Sequence, residues 1–511
     1  MAIQNVMRSA DDVAALDSWH ADWSGLRVAV LGLGLTGFSV ADTLVELGAD
    51  VLVFADRSDP QHAELLAVIG ARLITGDLSD GSNEDISTFA PDLVVVSPGF
   101  APRHPLVLWA TRQAIPVWGD VELAWRLRDK VGPPAEWLTV TGTNGKTTTV
   151  QLATAMLIAD GRRAIACGNV GIPVLDAIRD PIGWDVLVVE LSSFQLYYTH
   201  SLSPHSSVCL NVAADHLDWH GSAQAYSAAK ARVYENTRVS AIFNRGDQAS
   251  VSMVENANVV EGCRAIGFGL GVPGPSDLGV VDDILCDRAF LDDRQRSALE
   301  IVTVSELSPA GLASPHMAAN VLAAAALVRS FGASVKSVHS AAISFRLDHH
   351  RTDTVATGRG VLWVNDSKAT NPHAAAASLG SFDSVVWIVG GLLKGVAVDE
   401  LVSANLSRLR GVVIIGVERT ELREAFARHA PALPVFEVDT LETKEVMPLA
   451  VRLSAKVARF GDVVLLAPAA ASMDQFSDYA DRGRRFTSAV EEFLGDDADD
   501  GSASPPAFPA A

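Results

Sequence analysis

Basic residues are scarce in this chain. Forty Lys and Arg stand against 61 Asp and Glu, a formal net charge of −21, and this speaks against a nucleic-acid partner, which would want a basic face. Long apolar runs are also missing. Hydrophobic residues make up 49% and mean hydropathy is +0.22, yet no stretch reaches the ~18 uninterrupted apolar residues that span a bilayer. No membrane insertion is therefore expected. Residues 1–12 lack a basic segment leading into an apolar core, so no signal peptide is expected and a cytoplasmic location is. Cysteine is sparse as well: Cys167, Cys209, Cys263 and Cys286 contain no C-x-x-C pair, which suits a reducing compartment and reads as small core residues.

What is present is length and alternation. At roughly 100–200 residues per domain, 511 residues imply about three domains. The end, with Asp496, Asp497, Asp499 and Asp500 among Gly, Ser, Pro and Ala, reads as a disordered acidic tail over residues 496–511.

The central stretch is Trp137-Leu-Thr-Val-Thr-Gly-Thr-Asn-Gly-Lys-Thr-Thr-Thr149. An apolar run leads into a turn with Gly142 and Gly145, and Lys146 and Thr147 then open a helical pattern. Loop N–H groups and the helix N-terminus would face an anion, with Lys146 as cation and Thr147 as a Mg²⁺ ligand. Its glycines stand closer together than in the usual G-x-x-x-x-G-K-[ST]. Nevertheless Gly142, Thr143, Asn144, Gly145, Lys146, Thr147 and Thr148 read as a triphosphate cradle.

Upstream, residues 26–37 form a strand running into Gly32-x-Gly34-x-x-Gly37, and a second strand from Asp50 runs into Asp56. That spacing suits a diphosphate held at a helix N-terminus and an acid on a ribose, in a dinucleotide or a UDP-sugar. An oxidoreductase built on Gly32–Asp56 would leave the central loop unexplained. A strand over 93–96 ends in Ser97-Pro98-Gly99, and Pro133 and Pro134 mark a linker. Strand 185–189 closes on Glu190, placed for a Mg²⁺. Strand 207–210 leads to Asp215, His216, Asp218 and His220, a cluster read as metal and substrate ligands. Lys230 lies on a helix, where the plain reading is an exposed lysine. Residues 244–306 are irregular, 315–331 an Ala-rich core helix, and the pattern breaks near Arg346. Beyond it, strands and helices alternate again, with polar loops carrying Asp366, Lys368 and Lys394 at strand ends and the run Ser472–Phe476 near the end.

Three α/β units with Gly32-Leu-Gly-Leu-Thr-Gly37, Gly142-Thr-Asn-Gly-Lys-Thr147, Asn365-Asp-Ser-Lys-Ala-Thr-Asn371 and Ser472-Met-Asp-Gln-Phe476 together resemble the Mur ligase family of peptidoglycan synthesis, over nearly the whole chain. The resemblance implies an α/β fold of three domains: Rossmann-like over 1–130 for the UDP-sugar, P-loop ATPase-type over 131–346 for ATP, and Rossmann-like over 347–495 for the incoming amino acid. It implies a monomer that activates UDP-N-acetylmuramoyl-L-alanine with ATP as an acyl phosphate and adds D-glutamate. By motif, Lys146, Glu190, His216 and Lys230 would be catalytic, and Thr147, Glu190, His216 and a carbamylated Lys230 would serve two Mg²⁺ ions. Asn320, Arg351 and Asp366 would join the loop in holding ATP. Gly34, Leu35, Thr36, Asp56, Arg57, Ser58, Ser97, Gly99, Asn169, Ser192 and Gln195 would hold the UDP-sugar, and His350, Lys368, Thr370, Lys394, Ser472 and Tyr479 the D-glutamate. Two positions depart from the family pattern: Met317 stands where an adenine-binding Asn is common, and Tyr479 where a Phe is.

Overall fold

The computed structural model describes residues 8–56, 60–78, 84–347, 350 and 352–495. Arg57, Ser58, Arg351 and the acidic tail lie outside them. Among the described residues three sheets form, each carrying a run of the alternating pattern.

The first contains β1 (Arg27–Leu31), β2 (Asp50–Ala55), β3 (Arg72–Thr75), β4 (Leu93–Val96) and β5 (Val117–Gly119) in the order β3-β2-β1-β4-β5, all parallel. β4, Leu-Val-Val-Val, is buried at every residue because helices cover both faces of a parallel sheet. The chain reverses its winding direction between β1 and β4, and ligands bind at such switch points, outside the carboxyl ends of the strands.

The second sheet contains β6 (Glu136–Thr141), β7 (Ala164–Gly168), β8 (Val186–Glu190), β9 (Ser206–Cys209), β10 (Ser240–Asn244), β11 (Arg264–Phe268), β12 (Asp277–Val281), β13 (Ile284–Asp287) and β14 (Leu299–Thr303). Its order is β14-β13-β12-β11-β10-β9-β6-β8-β7, with β6 between β9 and β8. The irregular 244–306 region thus supplies short strands, the last two pairings antiparallel. The Ala-rich helix Pro315–Ser330 is core, with Val321 to Val328 fully buried.

The third sheet contains β15 (Asp353–Gly358), β16 (Val361–Asn365), β17 (Val385–Gly390), β18 (Leu409–Ile415), β19 (Val435–Glu437) and β20 (Val463–Leu466), ordered β15-β16-β20-β17-β18-β19 and parallel except for β15.

Two compact units result. One runs to Val212 and resumes over Trp219–Arg346, holding the first two sheets; the other runs from Leu347 and includes the short segment Ala213–Asp218. Among the described residues no single helix is long and apolar enough to cross a membrane. All four cysteines are free thiols. Cys167, Cys209 and Cys286 are buried and Cys263 partly so, and burial pushes the Cys209 thiol up to about 12, away from reactivity.

Candidate active site

After β1 the chain turns at Gly32 (φ +100°), where an added Cβ would lie 2.8 Å from Ser97 Oγ. Gly37 is tighter still, its Cβ falling 2.0 Å from Gly32 O, so this glycine lets the helix Leu35–Glu46 sit on the strand. Gly34 has open space where a Cβ would go, caps that helix without a side-chain bond, and leaves Leu35 62% exposed beside it. The turn therefore offers N–H groups and an uncovered apolar side chain at the switch point. Ser97 N–H is held by Leu31 O (2.9 Å), which brings the Ser97–Gly99 loop alongside. Asp56, just past β2, accepts from Leu78 N–H at 3.2 Å.

Between β6 and the helix Lys146–Ala159 the loop is compressed but built on the same principle. Gly142 has φ +153° and Gly145 φ +84°, conformations glycine adopts without strain. A Cβ on Gly145 would lie 2.4 Å from Asn320 Oδ1, so Asn320 backs the turn. Asn211, just past β9, fastens the loop from the other side: its O and Oδ1 accept from Thr143 and Asn144 N–H, both at 2.9 Å. Lys146 Nζ folds onto Gly142 O (2.9 Å) and Thr143 O (3.0 Å). Thr147 and Thr148 are buried in the first turn, and Thr148 Oγ1 has no partner among the described residues.

β8 pairs with β6 so that Glu190 lies opposite Val140, at the strand end beside this loop. Glu190 is 2% exposed. Its Oε1 accepts from Asn169 Nδ2 at 2.8 Å, and Oε2 is buried with no partner among the described residues. An uncompensated carboxylate oxygen in the interior is costly, and a divalent cation is the group that fits it. No cluster of three or more His, Cys, Asp or Glu is arranged for a metal among the described residues. Ser192 caps the short helix Ser193–Tyr197 in a reciprocal box with Gln195.

Lys230 is not a surface lysine. It is 1% exposed, and Nζ donates to Gly142 O at 2.8 Å, 4.9 Å from the Tyr226 ring centroid. Tyr226 OH in turn meets Thr143 Oγ1 at 2.9 Å.

The other unit holds the remaining residues. His216 has φ +53° and its N–H binds Asp215 Oδ1 (2.9 Å); Asp215 also pairs with Lys394, itself at φ +56°. Non-glycine residues in this region are strained, and such strain gathers at functional sites. Lys368 Nζ stands 3.8 Å over the Tyr479 ring, and its N–H reaches His350 O at 3.3 Å. Thr370 follows in the same turn, Asp366 N–H pairs with Leu466 O (2.8 Å), and Ser472 is buried near Gly391, whose Cβ would lie 2.2 Å from Ala471 O.

Some residues of this framework escape a reading of the sequence. Asn211, Asp120 and Glu122 carry no motif. Neither does Arg482, fully buried, which donates to Ser367 Oγ (3.0 Å), Ser367 O (2.8 Å) and Ala470 O (3.1 Å) and so ties the 365–371 loop to the one after β20. A spacing of 115 residues between Ser367 and Arg482 leaves no local signal.

Residues 26–119 match the Mur ligase MurD-like N-terminal domain, 140–328 the Mur ligase middle domain, and 350–470 the Mur ligase glutamate ligase domain. The chain is 62% identical over 508 residues to the "UDP-N-acetylmuramoylalanine--D-glutamate ligase" of Leifsonia xyli subsp. xyli, covering 97% of this chain and 98% of that one. The protein of the same name from Streptomyces avermitilis is 50% identical over 470 residues, covering 92% and 98%. In fold, the chain is similar to the UDP-N-acetylmuramate-alanine ligase of Thermotoga maritima, with a TM-score of 0.54 at 19% identity, covering 92% of this chain and all of that one. With all three domains matched in order and relatives of this identity over nearly its full length, the chain belongs to the Mur ligase family.

Proposed function

We propose that this protein joins D-glutamate to UDP-N-acetylmuramoyl-L-alanine at the expense of ATP, in peptidoglycan precursor synthesis. A carboxylate is a poor acyl donor, so one of its oxygens attacks the γ-phosphorus, the bond to the β-phosphate breaks, and ADP leaves. The amine of D-glutamate then attacks the acyl carbon of the acyl phosphate, a proton is lost, and inorganic phosphate departs from the new amide. Phosphoryl transfer of this kind needs positioning and charge neutralisation more than covalent help.

The observation that carries the reading is the buried, unpartnered Glu190 Oε2 at a strand end next to the Gly142–Thr147 loop. In this reading residues 142–148 cradle the triphosphate with Lys146, and Asn320, Arg351 and Asp366 serve the nucleoside end. Thr147, Glu190, His216 and a carbamylated Lys230 would hold two Mg²⁺ ions, which would supply charge neutralisation for phosphoryl and acyl transfer. Carbamylation would turn a cation into an anion suited to metal. Domain 1–130 takes the UDP-sugar through Gly34, Leu35, Thr36, Asp56, Arg57, Ser58, Ser97 and Gly99; in domain 131–346, Asn169 serves its sugar and phosphate, and Ser192 and Gln195 serve its acyl end. Domain 347–495 takes D-glutamate through Lys394, Lys368, Thr370, His350, Ser472 and Tyr479. The enzyme works as a cytoplasmic monomer.

Phosphate release from ATP and Mg²⁺ with UDP-N-acetylmuramoyl-L-alanine, compared across D-glutamate, L-glutamate, L-lysine and meso-diaminopimelate, tests this. Release dependent on D-glutamate alone is expected. Release with another amino acid moves the chain to a sister activity, and none with any of them overturns the reading.

A further inference from the structure

The helix Asp120–Arg126 follows β5 and buries two acids in its first turn, Asp120 at 4% and Glu122 at 0% exposed. Carboxylates are rarely buried without full pairing. Glu122 is fully paired: it accepts from His200 N–H (2.7 Å), Ser201 N–H (2.9 Å), Ser201 Oγ (2.7 Å) and Arg126 Nε (2.7 Å). That acid is a structural clamp.

Asp120 is different. Its Oδ2 accepts from Gln195 Nε2 at 3.0 Å, while Oδ1 is buried without a partner among the described residues. Packing alone gives no reason for a carboxylate here. The reason lies one step further along. Gln195 Oε1 accepts from Ser192 N–H (3.1 Å) and Ser192 Oγ (3.2 Å), and Ser192 Oγ accepts from Gln195 N–H (3.2 Å). The two ends of a glutamine amide are nearly the same size, so packing does not decide which faces Ser192. Two one-way groups decide it together: the Ser192 N–H only donates and so takes Oε1, and the Asp120 carboxylate only accepts and so takes Nε2. The Ser192 hydroxyl proton is thereby committed to Oε1. The same turn is held from the first domain by Gly119 N–H to Tyr198 O (3.2 Å) and Tyr198 OH to Phe100 O (2.9 Å).

We propose that Asp120 is a positioning residue for the ligation, a carboxylate of the UDP-sugar domain that sets the direction of the Asp120–Gln195–Ser192 hydrogen bonds and so presents Ser192, two residues after Glu190, in one orientation to the acyl end of the substrate. The assignment of that end to Ser192 and Gln195 rests on the function proposed above.

The test reverses the polarity of the pair. Asp120→Leu removes the acceptor, and Gln195→Glu sets two carboxylates against each other. Each is expected to lower kcat/KM for the UDP-sugar by between about ten- and a hundredfold, the cost of a misplaced contact, with KM for ATP and for D-glutamate unchanged. The double variant Asp120→Asn with Gln195→Glu, in which the Asn amide donates to the Glu carboxylate, regains most of the loss. Wild-type constants in Asp120→Leu, equal loss for all three substrates, or a double variant no better than Gln195→Glu would overturn the proposal. Amide hydrogen exchange over residues 192–198 needs no turnover and is expected to quicken in Asp120→Leu. Should the wild-type enzyme release no phosphate with any amino acid, the ligase reading fails by itself, and unchanged exchange would then overturn the positioning role separately.

Discussion

Lys230 illustrates how much a single side chain depends on where its helix lies. Its Nζ is 2.8 Å from Gly142 O and buried, so Lys230→Ala is expected to abolish D-glutamate-dependent phosphate release, with part of the rate restored by added acetate. Wild-type turnover in the variant would remove the lysine from the site. Asp120 gives a second residue-level prediction. Burial raises its carboxyl pKa from 3.8 to about 6, against the pull of its bond with Gln195. The unfolded chain gives up this proton near 3.8 and the folded chain only near 6, so the contribution to stability is present below about pH 4 and lost as pH rises to 6. At about 1.4 kcal/mol per pH unit the loss is on the order of 3 kcal/mol. Asp120→Asn is therefore expected to melt higher than wild type at pH 8 and to lose that advantage near pH 4. Thermal melts at the two pH values check the sign.

At the scale of elements, the Gly142–Thr147 turn and the helix Asp120–Arg126 are the parts most open to test. Gly145→Ala forces a side chain into φ +84° and puts its Cβ 2.4 Å from Asn320 Oδ1, costing roughly 1–2 kcal/mol for the backbone alone. The expected outcome is a raised KM for ATP with KM for D-glutamate unmoved. Glu122→Ala leaves Arg126 Nε and the donors of His200 and Ser201 without their acceptor. Breaking a buried pair from one side costs about 3–5 kcal/mol, and a lowered melting temperature should follow even where activity at 25 °C persists. The elements also differ in how well the sequence foretold them. Buried inner strands such as β1, β4, β8 and β17 announce themselves as apolar runs. β3, β5, β7, β15 and β19, which the sequence left unmarked, are sheet edges; paired on one side only, they need no long apolar run, and β3 and β19 have no fully buried residue. The inner strand β10, Ser-Ala-Ile-Phe-Asn, was also unmarked, its apolar run being only three residues long.

For the molecule as a whole, two compact units with separate cores predict two calorimetric transitions. A non-hydrolysable ATP analogue with Mg²⁺ should raise the transition of the unit that carries the 142–148 loop, by about 2.7 kcal/mol at a hundred times its Kd; a single transition insensitive to nucleotide would contradict this. The α/β class, the three sheets, the Gly-rich turn at Gly32–Gly37 and the Gly142–Gly145 turn opening the helix at Lys146 were determined by the sequence alone, because strand periodicity, turn glycines and helix N-termini are local physics acting over a few residues. The orientation of Lys230 toward Gly142, the orphaned Oε2 of Glu190, the Asn211 brace, the bridging Arg482 and the Asp120–Gln195–Ser192 chain were decided only by the tertiary structure, since each depends on burial or on partners tens of residues away in sequence, where no local pattern records the contact.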